Sequence, residues 1–151
     1  MIKKLETLQE NELNAIMAIW LAANKEAHSF VDSNYWEENT SLVRSMMPEA
    51  TIYVVEKDEK IVGFAGMMED YLAGIFITNE YRSHGLGKAL LDEIKKEHNQ
   101  LSLSVFEKNK GAYQFYFREG FQVKNTQLDE EVNQIDVTMT WQENKERALK
   151  D

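Results

Sequence analysis

The run Gly74-Ile75-Phe76-Ile77-Thr78-Asn79-Glu80-Tyr81-Arg82-Ser83-His84-Gly85-Leu86-Gly87-Lys88-Ala89-Leu90-Leu91 constrains this chain more than any other segment. An apolar stretch leads through a polar loop and a glycine pair into residues whose apolar members, Leu86, Ala89, Leu90 and Ile94, share one helical face. A strand, a loop and a helix in that order turn the junction into an anion site. The first helical turn has backbone N–H groups without intrahelical acceptors and the positive end of the helix dipole. Gly85 and Gly87 remove the Cβ atoms that would hold a phosphate off the backbone, and Arg82 and Lys88 add positive charge on either side. The expected phosphate contacts are therefore Arg82, Ser83, His84, Gly85, Leu86, Gly87 and Lys88.

Two common glycine loops fail against these letters. A Walker A loop needs glycine at position 82 and Ser or Thr at position 89, where the chain has Arg82 and Ala89. A dinucleotide fingerprint starting at Gly85 needs a small residue at position 90, which is Leu90, and a tight strand-to-helix turn, which the polar residues between Ile77 and Gly85 do not allow.

The rest of the chain sets this turn in an α/β domain. Met1–Leu5 reads as a short strand, and Glu10–Ala27 as a helix with Leu13, Ile16, Met17, Trp20 and Leu21 on one stripe. A second helix is expected over Ser33–Met47, capped by Asp32 or Ser33, with Pro48 just past its end. Thr51–Lys57 and Ile61–Met68 form a hairpin across Asp58-Glu59-Lys60, and Leu72–Ile77 follows as a strand covered on both faces. Gly85 to about His98 is helical, Leu101–Val105 a strand, Lys110–Glu119 a helix stopped by Gly120, and Gln122–Thr126 and Ile135–Thr140 two closing strands. The expected fold is an α/β sandwich with a mixed sheet, one domain over residues 1–141, followed by a polar tail over residues 142–151.

Charge and cysteine content narrow the function classes. A net charge of −9 with no basic face argues against nucleic acid, and the short apolar runs argue against a membrane span. The same charge could steer a cationic acceptor toward the protein. The absence of cysteine excludes disulfides, thiolate metal sites and a cysteine nucleophile, and fits a reducing cytoplasm. His28, His84 and His98 are too dispersed to suggest a metal, and Met1-Ile2-Lys3-Lys4 leads into no apolar signal region. A cytoplasmic monomer or homodimer is expected.

Arg82-x-x-Gly85-x-Gly87 after such a strand resembles the acetyl-CoA-binding motif of the GCN5-related N-acetyltransferases (GNAT superfamily). The resemblance continues at Val105, Asn109, Ala112, Phe115-Tyr116 and Gly120-Phe121, which look like the family's second cofactor segment, and the element order agrees over nearly the whole chain. Within the family, His28-Ser29-Phe30-Val31, Tyr35-Trp36 and Leu42-Val43-Arg44 resemble a small bacterial branch whose acceptors are mostly protein lysines or N-termini.

The resemblance implies acetyl-CoA as cosubstrate and a fold in which two parallel strands, Leu72–Ile77 and Leu101–Val105, splay around the pantetheine arm. It implies backbone contacts from Phe76 and Ile77 to that arm, a hydrogen bond from Asn109, and Tyr116 as the group that assists the leaving thiolate. Amide formation requires a neutral amine, and a lysine near pKa ~10.4 supplies only about one neutral molecule in two thousand at pH 7. Proton removal must therefore be assisted. The strand position that often carries an acid in the family is Ala73 here, so Glu69 is the nearest alternative base, with Asp70 and His28 also open. His28, Phe30, Tyr35 and Trp36 are the expected acceptor walls, which could sandwich an alkyl or ammonium group. The competing expectation is a CoA-binding sensor without turnover, kept open by Ala73; a tRNA-directed enzyme fits poorly with the negative charge.

Overall fold

The computed structural model describes residues 1–143, so the expected polar tail lies outside the described residues from residue 144 onward. Seven strands form one sheet in the order β1-β2-β3-β4-β5-β7-β6. They are β1 Ile2–Lys4, β2 Thr51–Lys57, β3 Lys60–Met68, β4 Tyr71–Ile77, β5 Gln100–Phe106, β6 Gln122–Asp129 and β7 Gln134–Gln142. Every neighbouring pair is antiparallel except β4 and β5, which run parallel. Helices α1 Glu10–Ala27, α2 Ser33–Glu38 and α3 Thr40–Met46 cover one face, and α4 Leu86–Lys96 and α5 Lys110–Arg118 cover the other. This is the α/β sandwich that the sequence leads one to expect.

Side-chain alternation along β2 shows why both faces need helices. Ile52 and Val54 point into a core with Ile16, Trp20 and Phe64, whereas Tyr53 and Val55 point into a second core with Leu90, Leu91 and Ile94. A strand buried on both sides must be apolar at consecutive positions, as Ile52-Tyr53-Val54-Val55 is. The β2–β3 turn places Asp58 and Glu59 at φ 52° and 65°, the doubly left-handed geometry of a tight hairpin.

The helix expected over Ser33–Met47 is broken at Asn39, which ends α2 and begins α3. Local side chains compete with the helical ladder there: Asn39 Nδ2 donates to the Tyr35 carbonyl at 2.7 Å and Thr40 Oγ1 to the Trp36 carbonyl at 2.9 Å. Pro48 sits within a short 3₁₀ turn, Met47–Glu49, where its missing N–H costs nothing, and so does not simply follow the helix. Asp32 is the cap of α2, accepting from the Asn34 N–H at 2.9 Å.

Candidate active site

The parallel pair makes the cleft. β4 and β5 are bridged only at Tyr71 and Ser102, where the Ser102 N–H also donates to the Asp70 carbonyl at 3.0 Å. Beyond that point the strands part, so the sheet opens as a V toward Ile77 on one arm and Phe106 on the other. Register adds a second irregularity: Gly66 faces Gly74 but Met67 faces Leu72, leaving Ala73 as the extra residue of a β-bulge in β4. Bulges bend a strand and re-aim its side chains, and they gather beside active sites. The V holds a cleft of about 760 Å³ whose lining includes Ile75, Phe76, Ile77, Gly85, Gly87 and Tyr116.

At the open end of β4 the chain makes a 3₁₀ turn over Asn79–Tyr81 and passes through left-handed Ser83 (φ 65°) and Gly85 (φ 77°) before entering α4. Gly85 is the N-cap, and among the described residues no side chain caps this helix start. The first backbone bond of α4 is Ala89 N–H to the Gly85 carbonyl, so the N–H groups of Leu86, Gly87 and Lys88 have no intrahelical acceptor. Arg82 Nε donates to the Ile77 carbonyl at 3.1 Å, and its guanidinium lies 3.3 Å from Glu26 on α1. Lys88 is paired with Glu119 at 2.9 Å and Asp92 at 3.6 Å. Arg82, Ser83, Gly85, Leu86, Gly87 and Lys88 all line the cleft, whereas exposed His84 does not.

Across the V, Asn109 caps α5 by accepting from the Ala112 N–H at 3.3 Å, and its Nδ2 lies 3.0 Å from His28 Nε2. His28 closes α1, stacks on Trp36 at 5.2 Å and meets Phe30 and Phe106 edge to face. Burial pushes its pKa down to about 4, against a weaker opposing pull from the Asn24 backbone, so the ring is neutral near pH 7. Tyr116 is 7% exposed, held by edge contacts with Phe115 and Phe121, and borders the cleft. Burial raises its phenol above the ordinary tyrosine range, the Ile75 backbone partly offsetting this and Tyr71 adding to it. A phenol in that environment is a neutral hydrogen-bond donor.

Other expected site residues are not brought to the cleft. Glu69 is an exposed residue at φ 55° in the β3–β4 turn, at the opposite end of β4 from Ile77. The chain reverses there, which carries its carboxylate to the closed end of the V. Asp70 beside it is engaged by His98 at 2.8 Å, and its pKa is lowered by hydrogen bonds from His98 and Gln100. Phe30 and Trp36 pack against Phe106 and Tyr35 against Trp36, next to the cleft without lining it, and Trp36 is a core residue against Trp20. Phe30 and Tyr35 are only half-buried; Lys108 Nζ stands 5.8 Å over the Phe30 ring.

Ile75, Tyr81, Asn24 and Glu119 also line the cleft, and sequence reasoning passed over them. Asn24 offered a signal, a polar residue on the apolar stripe of α1, where it is 5% exposed and donates to the Trp20 carbonyl at 2.9 Å. Glu119 offered none, since its pairing with Lys88 spans 31 residues.

A splayed parallel pair, an uncapped glycine turn at the start of α4 and the buried Tyr116 thus border one cleft. Residues 48–123 match the family described as Acetyltransferase (GNAT) domain. Over 135 residues the chain is 34% identical to the peptidyl-lysine N-acetyltransferase YiaC of Escherichia coli, covering 88% of this chain and 92% of the relative. It is 30% identical to the peptidyl-lysine N-acetyltransferase YjaB of Escherichia coli over 124 residues, 82% of this chain and 84% of the relative. The solution structure of apo YjaB superimposes with a TM-score of 0.80 at 26% identity, covering 93% of this chain and 97% of that one. An aminoglycoside 6'-N-acetyltransferase solved with coenzyme A shares the fold at a TM-score of 0.74 and 12% identity, over 94% of this chain and 96% of that one. The chain belongs to the GNAT acetyltransferases. It is an enzyme that transfers an acetyl group to an amine.

Proposed function

We propose that this enzyme acetylates lysine side chains of proteins or peptides, drawing the acetyl group from acetyl-CoA held in the V. The observation that carries the reading is the cleft itself, which joins the uncapped start of α4, flanked by Arg82 and Lys88, to the buried hydroxyl of Tyr116. A pyrophosphate suits the free N–H groups of Leu86, Gly87 and Lys88. The pantetheine arm then runs between β4 and β5, along the backbone of Phe76 and Ile77, with Asn109 on the opposite wall. The peptidyl-lysine N-acetyltransferases YiaC and YjaB of Escherichia coli, to which the chain is similar, support the acceptor class.

In this reading the neutral amine attacks the thioester carbonyl, the C–N bond forms and the C–S bond breaks. Tyr116 donates a hydrogen bond to the departing sulfur, which then takes up a proton, while the amine's extra proton leaves to water. Full proton delivery by an unperturbed phenol near ~10 to a thiolate whose thiol is near ~8.5 costs roughly 2 kcal/mol, and burial of Tyr116 increases that cost. Stabilisation of the thiolate by the hydrogen bond is therefore the role assigned. Half-buried Phe30 and Tyr35 form the acceptor wall, with Trp36 behind Tyr35. Asp129 and Glu131 lie near enough to Tyr35 to raise its pKa after burial has done so, and they give that rim a negative field for an ammonium group. Among the described residues that line the cleft, the only carboxylate is Glu119, already paired with Lys88, so the base is assigned to solvent and not to Glu69.

The test is thiol release from acetyl-CoA with a panel of lysine peptides, N-terminal amines and polyamines. Lysine peptides should be acetylated fastest, with acetyl-lysine identified by mass. Faster turnover of polyamines, or of peptides without lysine, would reassign the acceptor.

A further inference from the structure

The amide of Asn109 is used at both ends. Its Oδ1 accepts from the Ala112 N–H at 3.3 Å, which fixes the carbonyl end toward α5 and leaves the amino end facing His28 Nε2 at 3.0 Å. An amide NH₂ can only donate, so His28 Nε2 must accept and the ring proton sits on Nδ1. On the other side of the ring, His28 Nδ1 makes no well-formed hydrogen bond among the described residues, yet the Asn24 carbonyl pulls weakly on the ring proton, so that carbonyl and Asn109 favour the same Nδ1–H tautomer. The ring cannot easily turn away: it is stacked on Trp36 at 5.2 Å and flanked by Phe30 at 5.6 Å and Phe106 at 5.1 Å. His28 also ends α1, its own N–H donating to the Asn24 carbonyl at 3.0 Å. Both His28 and Asn109 line the cleft, though they are 81 residues apart in sequence.

We infer that His28 is a positioning residue for the cosubstrate: it accepts one N–H of Asn109, locks the amide's rotation, and so leaves the second N–H set for a carbonyl of the acetyl-CoA arm. This rests on the proposed acetyl-CoA reading of the cleft. His28 thereby acts on the donor side through Asn109, a different role from a base or a wall of the acceptor pocket. The effect belongs in acetyl-CoA affinity and not in acceptor affinity.

Calorimetric titration of acetyl-CoA into the wild type, His28→Phe, His28→Gln, Asn109→Ala and the His28→Phe/Asn109→Ala double variant tests this. His28→Phe keeps an aromatic ring for stacking but no acceptor, whereas the Gln carbonyl can reach the place of Nε2. His28→Phe should weaken binding about fivefold, as for one lost hydrogen bond. His28→Gln should stay within about twofold of wild type, and His28→Phe should add nothing in the Asn109→Ala background. In steady state the KM for acetyl-CoA should rise while the KM for a lysine peptide stays fixed. Wild-type affinity in His28→Phe, or equal weakening with and without Asn109, overturns the assignment. A wild type that does not bind acetyl-CoA overturns the cleft reading itself, which separates the two failures. Independently of any variant, two-bond proton–nitrogen correlations of the wild-type His28 ring should show the proton on Nδ1; a proton on Nε2 overturns the inference.

Discussion

Buried Tyr116 and half-buried His28 are both titratable groups at the cleft, and desolvation shifts them in opposite directions on the pH scale. The Tyr116 phenol, raised chiefly by burial, stays protonated well past the ordinary tyrosine range. A pH–rate profile should therefore show no alkaline loss from this group up to about pH 10. Tyr116→Phe should lower kcat about a hundredfold with little change in acetyl-CoA affinity, and an unaltered kcat would remove the hydroxyl from the reaction. For His28 the folded-state pKa of about 4 lies below its ordinary 6.5, so the unfolded chain binds the extra proton first. Its contribution to stability is complete above 6.5 and is lost as pH falls through 4. Thermal melts from pH 7 to 4 should show an acid-side decline that is smaller in His28→Gln. Glu69, exposed at the far end of β4, makes the contrasting case. Glu69→Gln should leave kcat and its pH dependence unchanged, and a large loss in kcat would return the residue to the mechanism.

At the scale of the element, the start of α4 combines two demands. Gly85 holds φ 77°, a conformation that costs other residues roughly 1–2 kcal/mol, while a Cβ there would meet nothing within 4 Å. Gly85→Ala should therefore lower stability by about 1 kcal/mol through backbone strain alone, measurable in denaturant melts. A neutral result would show that the turn relaxes. This turn was legible in the sequence because everything that makes it is local: glycine placement, an apolar strand before it and an amphipathic helix after it. The break at Asn39 was not, since the apolar spacing of Ser33–Met47 continues across it and only the Asn39 and Thr40 side-chain bonds to carbonyls one turn back reveal the interruption. The bulge at Ala73 escaped for a related reason. Register belongs to the pair of strands, and β4 alone carries no mark of which residue lacks a partner on β3.

The whole molecule places the candidate active site where β4 and β5 part. Strand order and the switch from antiparallel to parallel pairing at β4 and β5 follow the reading of the chain as a GNAT fold, because element order constrains topology strongly. The partners of the site residues were hidden by distance in sequence. His28 meets Asn109 across 81 residues and Glu119 meets Lys88 across 31, and no periodicity encodes either encounter. Glu69 follows β3 as expected, but nearness to the strand in sequence did not say which end of the V that turn would occupy.

Arg82 rests 3.3 Å from Glu26, and Lys88 rests against Glu119 and Asp92. The mouth of the V is therefore already supplied with its own counter-ions, and in the proposed acetyl-CoA reading the docking of a pyrophosphate would be an exchange of one anion for another. Glu26 lies in the last turn of α1, where the helix dipole disfavours a carboxylate that has lost its cation. Glu26→Gln should thus tighten acetyl-CoA binding by about twofold at low salt, with the gain fading near 0.5 M salt as screening takes over; equal affinity at low salt would show that the pair does not compete. In the proposed reading, Glu26, Asp92 and Glu119 would hold the cations of the cleft until a ligand long enough to fill the V as well gains enough to displace them.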